Sequence, residues 1–573
     1  MSNYKKASSI FFDGAAERIK KMNRTYDDTM FIDTFEHEYT WLNGFMRNVR
    51  RLSKRPAVID PDTNRSWTYR ELNNEANRLA NALAKTGVKK NDVVMCAMRN
   101  SPEFAFMYTG PRKIGAILLA ANYNLASGEM ALLINHNKPK VVFYSANVKD
   151  MMTEAEKICL WKPAFFVMTD NIEGVDVPKN HLSYEDYIST SSIDEPEVNF
   201  RPHIYDEVLR LCTSGTTSMP KSVPVTDINE VLSAHDVIMH YPMNQNDVTL
   251  NMTPWFHRGG CHSGGLCPTL YAGAAAVVMR FFRPQTSLDW CLQYKISFMM
   301  GAPANLEMLA RAQEKSPRDL SSLRGLVTMG APLSRADCIR YSNLLTPNIF
   351  NGYGTTETFW NSFLRPYNLP DGAGSVGQSC TDDEVRVVKV YEDHKAEPDE
   401  LVPFDNETEG EVIICAPAKS SYSYYKNEEM TNEKFYKGWM YTGDTGTWNE
   451  DWIVTIKGRK DDMMVVSGEN IYPTQIEEAI VLCNKVKDCI VTSVPDKVRD
   501  QAVVAYVIPE DPSLTVKELN EFCAASKMLS RYKRPRYFAF VDEIPHTATG
   551  KKQHNKMKAR AVEDLEKGLL VRE

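Results

Sequence analysis

Leu211-Cys-Thr-Ser-Gly-Thr-Thr-Ser-Met-Pro-Lys-Ser222 gathers six hydroxyl side chains, a glycine and a lysine within twelve positions. A buried apolar stretch would not carry so many hydroxyls without partners to satisfy them. A loop around a polyanion would, because hydroxyls and backbone N–H groups donate hydrogen bonds while a lysine supplies charge. The stretch reads as a cradle for nucleotide phosphates. The P-loop G-x-x-x-x-G-K-[ST] is the rival reading. Gly215 and Lys221-Ser222 keep its spacing, but Pro220 replaces the second glycine. Proline offers no N–H to a phosphate and fixes its own φ, so that reading loses a donor at the tightest point.

Further islands resist explanation as packing. Asn351-Gly-Tyr-Gly-Thr-Thr-Glu357 sets an aromatic between glycines, then two hydroxyls and a carboxylate. Tyr441-Thr-Gly-Asp-Thr-Gly446 predicts an acid in a tight turn, and Ile456-Lys-Gly-Arg-Lys-Asp-Asp462 precedes Ser467-Gly-Glu-Asn-Ile-Tyr-Pro473. Pro545-His-Thr-Ala-Thr-Gly-Lys551 puts a lysine after a flexible turn near the end.

Taken together and in this order, these stretches resemble the ANL superfamily of adenylate-forming enzymes, over about residues 55–560, and most of all its acyl- and aryl-CoA ligases. The resemblance implies two half-reactions. A carboxylate attacks the α-phosphorus of ATP and expels pyrophosphate, leaving an acyl-adenylate; the thiol of coenzyme A then displaces AMP. The first step brings an anion to a polyanion, and two unit charges about 4 Å apart repel by roughly 4 kcal/mol at an effective dielectric of 20. Cations must sit where that charge develops.

The resemblance also implies roles. Thr213, Ser214, Gly215, Thr216, Thr217 and Lys221 would hold the phosphates, and Glu357 with Thr216 would carry Mg²⁺, a hard cation taking oxygen ligands. Gly330, Ala331 and Pro332, with Asn351 and Tyr353, would line adenine, Gly352 and Gly354 allowing close approach, beside Thr355 and Thr356. Asp444 would accept the ribose hydroxyls next to Ile456 and Arg459, and Lys551 would stabilise charge passing between carboxylate and α-phosphate. Asp461 matches the hinge on which a C-terminal domain swings between half-reactions. Gly468 would line the pantetheine tunnel, and Tyr532, Arg534 and Arg536 would meet the nucleotide end of coenzyme A. Trp255, Phe256, His257, Arg258 and Phe359 would border the acyl pocket, with His257 helping to gate access. Trp255, Phe256, Phe359 and Trp360 would narrow that pocket toward a short, branched or aromatic acid, or else belong to the core. Arg258 would pair with a polar group of the acid or form a surface ion pair. His257, Cys261, His262 and Cys267 do not fit a zinc spacing. Ser218 and Ser222 depart from the family's glycines, which puts the loop's backbone geometry in question.

These residues need a scaffold of more than one domain, since 573 residues exceed a single core. Buried apolar runs at Val93–Met98, Val141–Tyr144, Phe298–Met300 and Gly325–Met329 alternate with helical spacing at Leu72, Ala76, Leu79 and Leu83, predicting α/β layers with parallel strands. Phe104–Ala121 reads as one helix, broken or kinked at Gly110-Pro111. Short strands with acidic turns from Val385 to Ile414 predict a small β-rich subdomain. The expected architecture is a large N-terminal domain of layered α/β sheets over 1–460 and a small mobile α+β domain over 461–573. Hydrophobic content of 43% and charged content of 25% fit a soluble globular chain. A net charge of −7 argues against nucleic acid as a partner. Twelve scattered cysteines without a C-x-x-C pair, no secretory leader and no apolar run near 20 residues predict a reduced cytoplasmic compartment. The expected partners are a carboxylic acid, ATP with Mg²⁺, and coenzyme A. A carrier-protein phosphopantetheine remains as an alternative acceptor, and monomer and homodimer both stay open.

Overall fold

The computed structural model describes residues 28–572 apart from 214–220, 392–393, 463, 467–468, 472, 497–499, 527–528, 530–532 and 547–551. Four sheets carry the architecture among the described residues. The nine-stranded sheet runs parallel through Pro56–Asp60, Ala275–Val277, Val248–Asn251, Phe298–Gly301, Gly325–Met329 and Ile349–Thr355. Antiparallel strands border this parallel run on both sides, Arg65–Thr68 at one end, Phe359–Leu364 then Gln378–Ser379 at the other. The seven-stranded sheet is parallel except for Lys221–Thr226, which folds back on Glu207–Thr213. Strands buried on both faces read as continuous apolar runs, and the predicted ones do so here.

Local signals explain the element boundaries. Thr68 and Glu71 form a capping box that starts the helix Tyr69–Lys85. Thr515 and Glu518 do the same for Val516–Ala525. The reading of Phe104–Ala121 as one helix is corrected: the helix is Pro102–Lys113, and Ile117–Ala120 is a central buried strand. Pro111 does not interrupt the helix, which continues past it to Lys113. Its missing N–H falls in a last turn that Gly110 packs against the Ala76 carbonyl, where a Cβ would come within 2.9 Å.

A third, antiparallel sheet contains Glu384–Val388, Gly410–Cys415, Trp439–Trp448 and Val454–Arg459. The fourth sheet begins at Met464–Val466 and is centred on Asp500–Pro509, with helices Pro473–Ile480 and His554–Glu566. The chain is thus a mixed α/β protein with a large N-terminal and a smaller C-terminal domain. No described helix is long and apolar enough to cross a membrane.

Candidate active site

The phosphate-loop stretch joins two antiparallel strands of the seven-stranded sheet. Thr213 pairs with Lys221 and Cys212 with Ser222, so the strands deliver both ends of 214–220 to one place. Ser214, Gly215, Thr216 and Thr217 lie outside the described residues, as does Ser218. Ser222 keeps an ordinary strand backbone where the family pattern has a glycine. It sits in regular strand, buried, where no left-handed backbone is demanded. Its hydroxyl accepts from Asn137 Nδ2 at 3.3 Å. Asn137 in turn accepts from Arg210 at 3.0 Å, and the Arg210 guanidinium stacks 3.5 Å over the Tyr425 ring.

The Asn351–Glu357 motif is a hairpin. Strand Ile349–Thr355 turns at 356–358 into Phe359–Leu364, placing Glu357 at the tip. Side chains alternate along a strand, so Tyr353 faces opposite to its glycine neighbours. The glycines serve the hairpin. A Cβ on Gly352 would stand 2.9 Å from the Trp360 indole nitrogen, and one on Gly354 would collide with the Phe359 carbonyl. Phe359 itself has φ +63, a backbone that bulky residues rarely adopt. Asn351 donates to the Ser375 carbonyl at 3.1 Å, and Thr355 and Thr358 share a hydroxyl contact of 3.0 Å. Gly330 follows its strand with φ +86 and open space where a Cβ would stand. Ala331 and Pro332 continue from it.

Tyr353 points at Asp444. Its hydroxyl donates to Oδ2 at 2.6 Å, and Arg459 Nη1 donates to Oδ1 at 2.8 Å. Burial and the neighbouring Asp444 charge raise the Tyr353 pKa well above the ordinary phenol value, so the hydroxyl stays a donor. Ile456 and Tyr353 flank one apolar cluster of the third sheet. Asp444 is not in a tight turn, as its flanking glycines predict. It lies within the ten-residue strand Trp439–Trp448, opposite Arg459, after Gly443 at φ +74. Three sequence islands therefore meet at one carboxylate.

Glu357 is 7% exposed, and its Oε1 accepts from the Tyr424 hydroxyl at 2.5 Å. Oε2 accepts no hydrogen bond among the described residues, which suits a carboxylate with one oxygen held and one available to a hard cation. Sequence reasoning missed Tyr424. Its signal is one tyrosine among three in Tyr422-Ser-Tyr-Tyr425, with nothing local to single it out.

The acyl-side expectations divide. Trp255 packs edge-on to Phe104 at 5.8 Å and Phe256 to Tyr123 at 5.3 Å, both within the largest core cluster. They are core residues. His257 is half-buried with its ring 4.2 Å from that of Phe256. Arg258 is corrected outright: it is buried, not a surface ion pair. Nη1 donates to the Thr356 carbonyl at 3.0 Å and Nη2 to the Lys419 carbonyl at 2.7 Å. Phe359 and Trp360 stack at 4.8 Å, and Trp360 continues into Phe363 at 4.5 Å and Tyr241 at 5.9 Å. Met300 and Met329 belong to the same cluster.

His262 and Cys267 gather round Glu230, but the cationic position there is filled by Arg112, 2.6 Å from Glu230 Oε2. His262 Nε2 lies 2.5 Å from Oε1. Arg112 and His262 hold the Glu230 carboxyl far below its usual range despite burial. The cluster is a buried ion network.

In the C-terminal domain, Gly468, Tyr532 and Lys551 lie outside the described residues. The Asp461 backbone belongs to the short 3₁₀ turn Lys460–Asp462, between the third and fourth sheets. Arg534 donates to the Leu529 carbonyl at 3.3 Å, and the Arg536 N–H to the Val503 carbonyl at 2.8 Å.

Comparison with known proteins agrees with this geometry. The family model of AMP-binding enzymes matches residues 45–421, and that of the AMP-binding enzyme C-terminal domain matches 475–551. A long-chain-fatty-acid–CoA ligase of Mycobacterium tuberculosis is 27% identical, covering 86% of this chain and 93% of its own. A 2-succinylbenzoate–CoA ligase of Geobacillus is 28% identical, with coverages of 90% and 96%. Among solved structures, an anthranilate–CoA ligase in complex with anthranoyl-AMP superposes with TM-score 0.81 at 25% identity, over 93% of this chain and 98% of the other.

Proposed function

Since the chain belongs to the AMP-binding enzyme family, among its AMP-forming acyl- and aryl-CoA ligases, we propose that it activates a compact carboxylic acid as its adenylate and passes the acyl group to free coenzyme A. The observation carrying this reading is the convergence of Tyr353 and Arg459 on Asp444, with Glu357 on the same hairpin. Asp444 receives the ribose hydroxyls, exchanging partners it already holds for those of the nucleotide. Tyr353 gives adenine a flat face, bordered by the open backbone at Gly330.

Lys221, with the hydroxyls of 213–217, neutralises the outer phosphates. Glu357 and Thr216 would hold Mg²⁺, which when bound would offset phosphate charge. Lys551 moves to the α-phosphate and stabilises charge there while the acid's oxygen attacks. The domains divide at Asp461, supported by the sheet change between Arg459 and Met464. Residues 461–573 then swing so that Gly468, Tyr532, Arg534 and Arg536 receive coenzyme A, with His257 admitting the thiol.

On this reading the acid lies near the cluster of Phe359, Trp360, Phe363, Tyr241 and Met300, of which Trp360 and Phe363 back Gly352. Such close packing supports a short, branched or aromatic acid over a long chain.

The deciding experiment separates the half-reactions. Lys551→Ala abolishes acid-dependent pyrophosphate exchange, while thioester formation from preformed acyl-adenylate survives. Equal loss of both removes the role given to Lys551. Turnover of adenylate without added coenzyme A, in the presence of a carrier protein, moves the acceptor to the carrier.

A further inference from the structure

The segment 416–427 belongs to none of the expected motifs, yet it touches the strand leaving the phosphate loop, the Glu357 hairpin and Arg258. Its Ala418 carbonyl accepts from Asn229 at 2.9 Å. Lys419 Nζ, buried, lies 2.8 Å from Asp236 and 2.6 Å from Asp383, and donates to the Trp360 carbonyl at 2.5 Å. The Ser421 hydroxyl donates to the Pro224 carbonyl at 2.7 Å. The Tyr425 N–H donates to the Ser222 carbonyl at 2.8 Å. Between these anchors, Tyr424 sends its hydroxyl to Glu357 Oε1. Arg258 completes the clamp, spanning the Lys419 and Thr356 carbonyls. One short stretch thus ties the strand leaving the phosphate loop to the turn bearing Glu357.

We infer that Tyr424 is a positioning residue: its hydroxyl holds the Glu357 carboxylate at a fixed place relative to the Lys221–Thr226 strand, leaving Oε2 to the divalent cation that would accompany a bound nucleotide. The inference rests on the reading of Glu357 as the metal-binding carboxylate. A further observation supports a polar role over simple space filling. Tyr424 is 5% exposed, so a phenylalanine would leave Oε1 buried without its donor. The packing partner Phe435, 6.0 Å away, is indifferent to that hydroxyl.

The test uses the full chain, with Mn²⁺ as probe and α,β-methylene-ATP as an uncleavable nucleotide, free Mn²⁺ being followed by electron paramagnetic resonance. Tyr424→Phe weakens Mn²⁺ binding in the presence of the analogue by about 10-fold, the scale of a lost outer-shell partner. AMP binding, which involves Tyr353 and Asp444 but no outer phosphates, is unchanged. Unaltered Mn²⁺ affinity overturns the inference, and so does an equal loss of AMP affinity, which would mark a general disturbance of the fold. Glu357→Gln separates this inference from the reading beneath it. If that change leaves Mn²⁺ affinity intact, the metal assignment fails and takes the inference with it. If it weakens binding, Tyr424→Phe placed on top of it adds nothing. A further drop in the double variant shows that the hydroxyl acts through some other group.

Discussion

On one face of the 349–364 hairpin, Tyr353 donates to Asp444, which also takes a hydrogen bond from Arg459. On the other, Gly352 and Gly354 make room for the Trp360 indole and the Phe359 carbonyl, and the neighbouring rings stack into Tyr241 and Phe363. The first face is polar and has a partner that a ligand can borrow. The second is dry and closely packed. A two-residue period lets a single strand serve both purposes. On the function proposed above, nucleotide recognition is set by a few polar atoms and acid choice by volume.

The largest effect should come from the polar face. Asp444→Ala lowers kcat/KM for ATP by on the order of 10²-fold, since hydrogen bonds to a charged group are lost and Tyr353 is left without its acceptor. An equal loss from Tyr353→Phe would make the tyrosine hydroxyl, and not the aspartate, the essential group. On the dry face, Gly354→Ala forces a Cβ against the Phe359 backbone and costs about 3 kcal/mol in denaturant unfolding. A cost near zero would show that the hairpin relaxes freely, and the contrast between its faces would go.

Glu103 supplies the carboxylate that lacks what Glu357 has. Its buried Oε2 has no hydrogen-bond partner among the described residues, and burial first, then the Asp170 charge, push its pKa up to about 7. A carboxyl whose folded pKa is raised adds stability while protonated, at pH below about 4.5, and that addition is lost as pH rises toward 7. Glu103→Gln should therefore raise stability by about 2 kcal/mol at pH 8 and by almost nothing at pH 4, read from urea midpoints. A gain of equal size at both pH values would assign the effect to packing. The smallest change is one of specificity. Trp360→Leu raises kcat/KM for acids two or three carbons longer by about 10-fold relative to short ones. An unshifted chain-length profile would place the acid elsewhere.

Much of the polar face was legible because its residues lie in short stretches whose chemistry declares itself. Hydroxyls beside a lysine, a tyrosine between glycines and an aspartate among glycines have few other uses. Parallel strands such as Val93–Ala97 were legible for a similar reason, as unbroken apolar runs. What stayed hidden depends on distant neighbours. Nothing near Ile117 says whether its apolar run is helix or strand until Val93–Ala97 pairs with it. Arg258 shows no local sign that it will clamp two carbonyls 98 and 161 positions away. Trp255 and Phe256 look like pocket walls by type, and only Phe104 and Tyr123 reveal them as core.

Ser222 has a consequence beyond its own bonds. With a glycine there, the base of the hydroxyl-rich loop would have a swivel; with a serine linked through Asn137 and Arg210 to the Tyr425 ring, it has a rivet. Replacing Ser222 by glycine would cut that side-chain relay at its first link, while the backbone bond from the Tyr425 N–H to the carbonyl at 222 would stay.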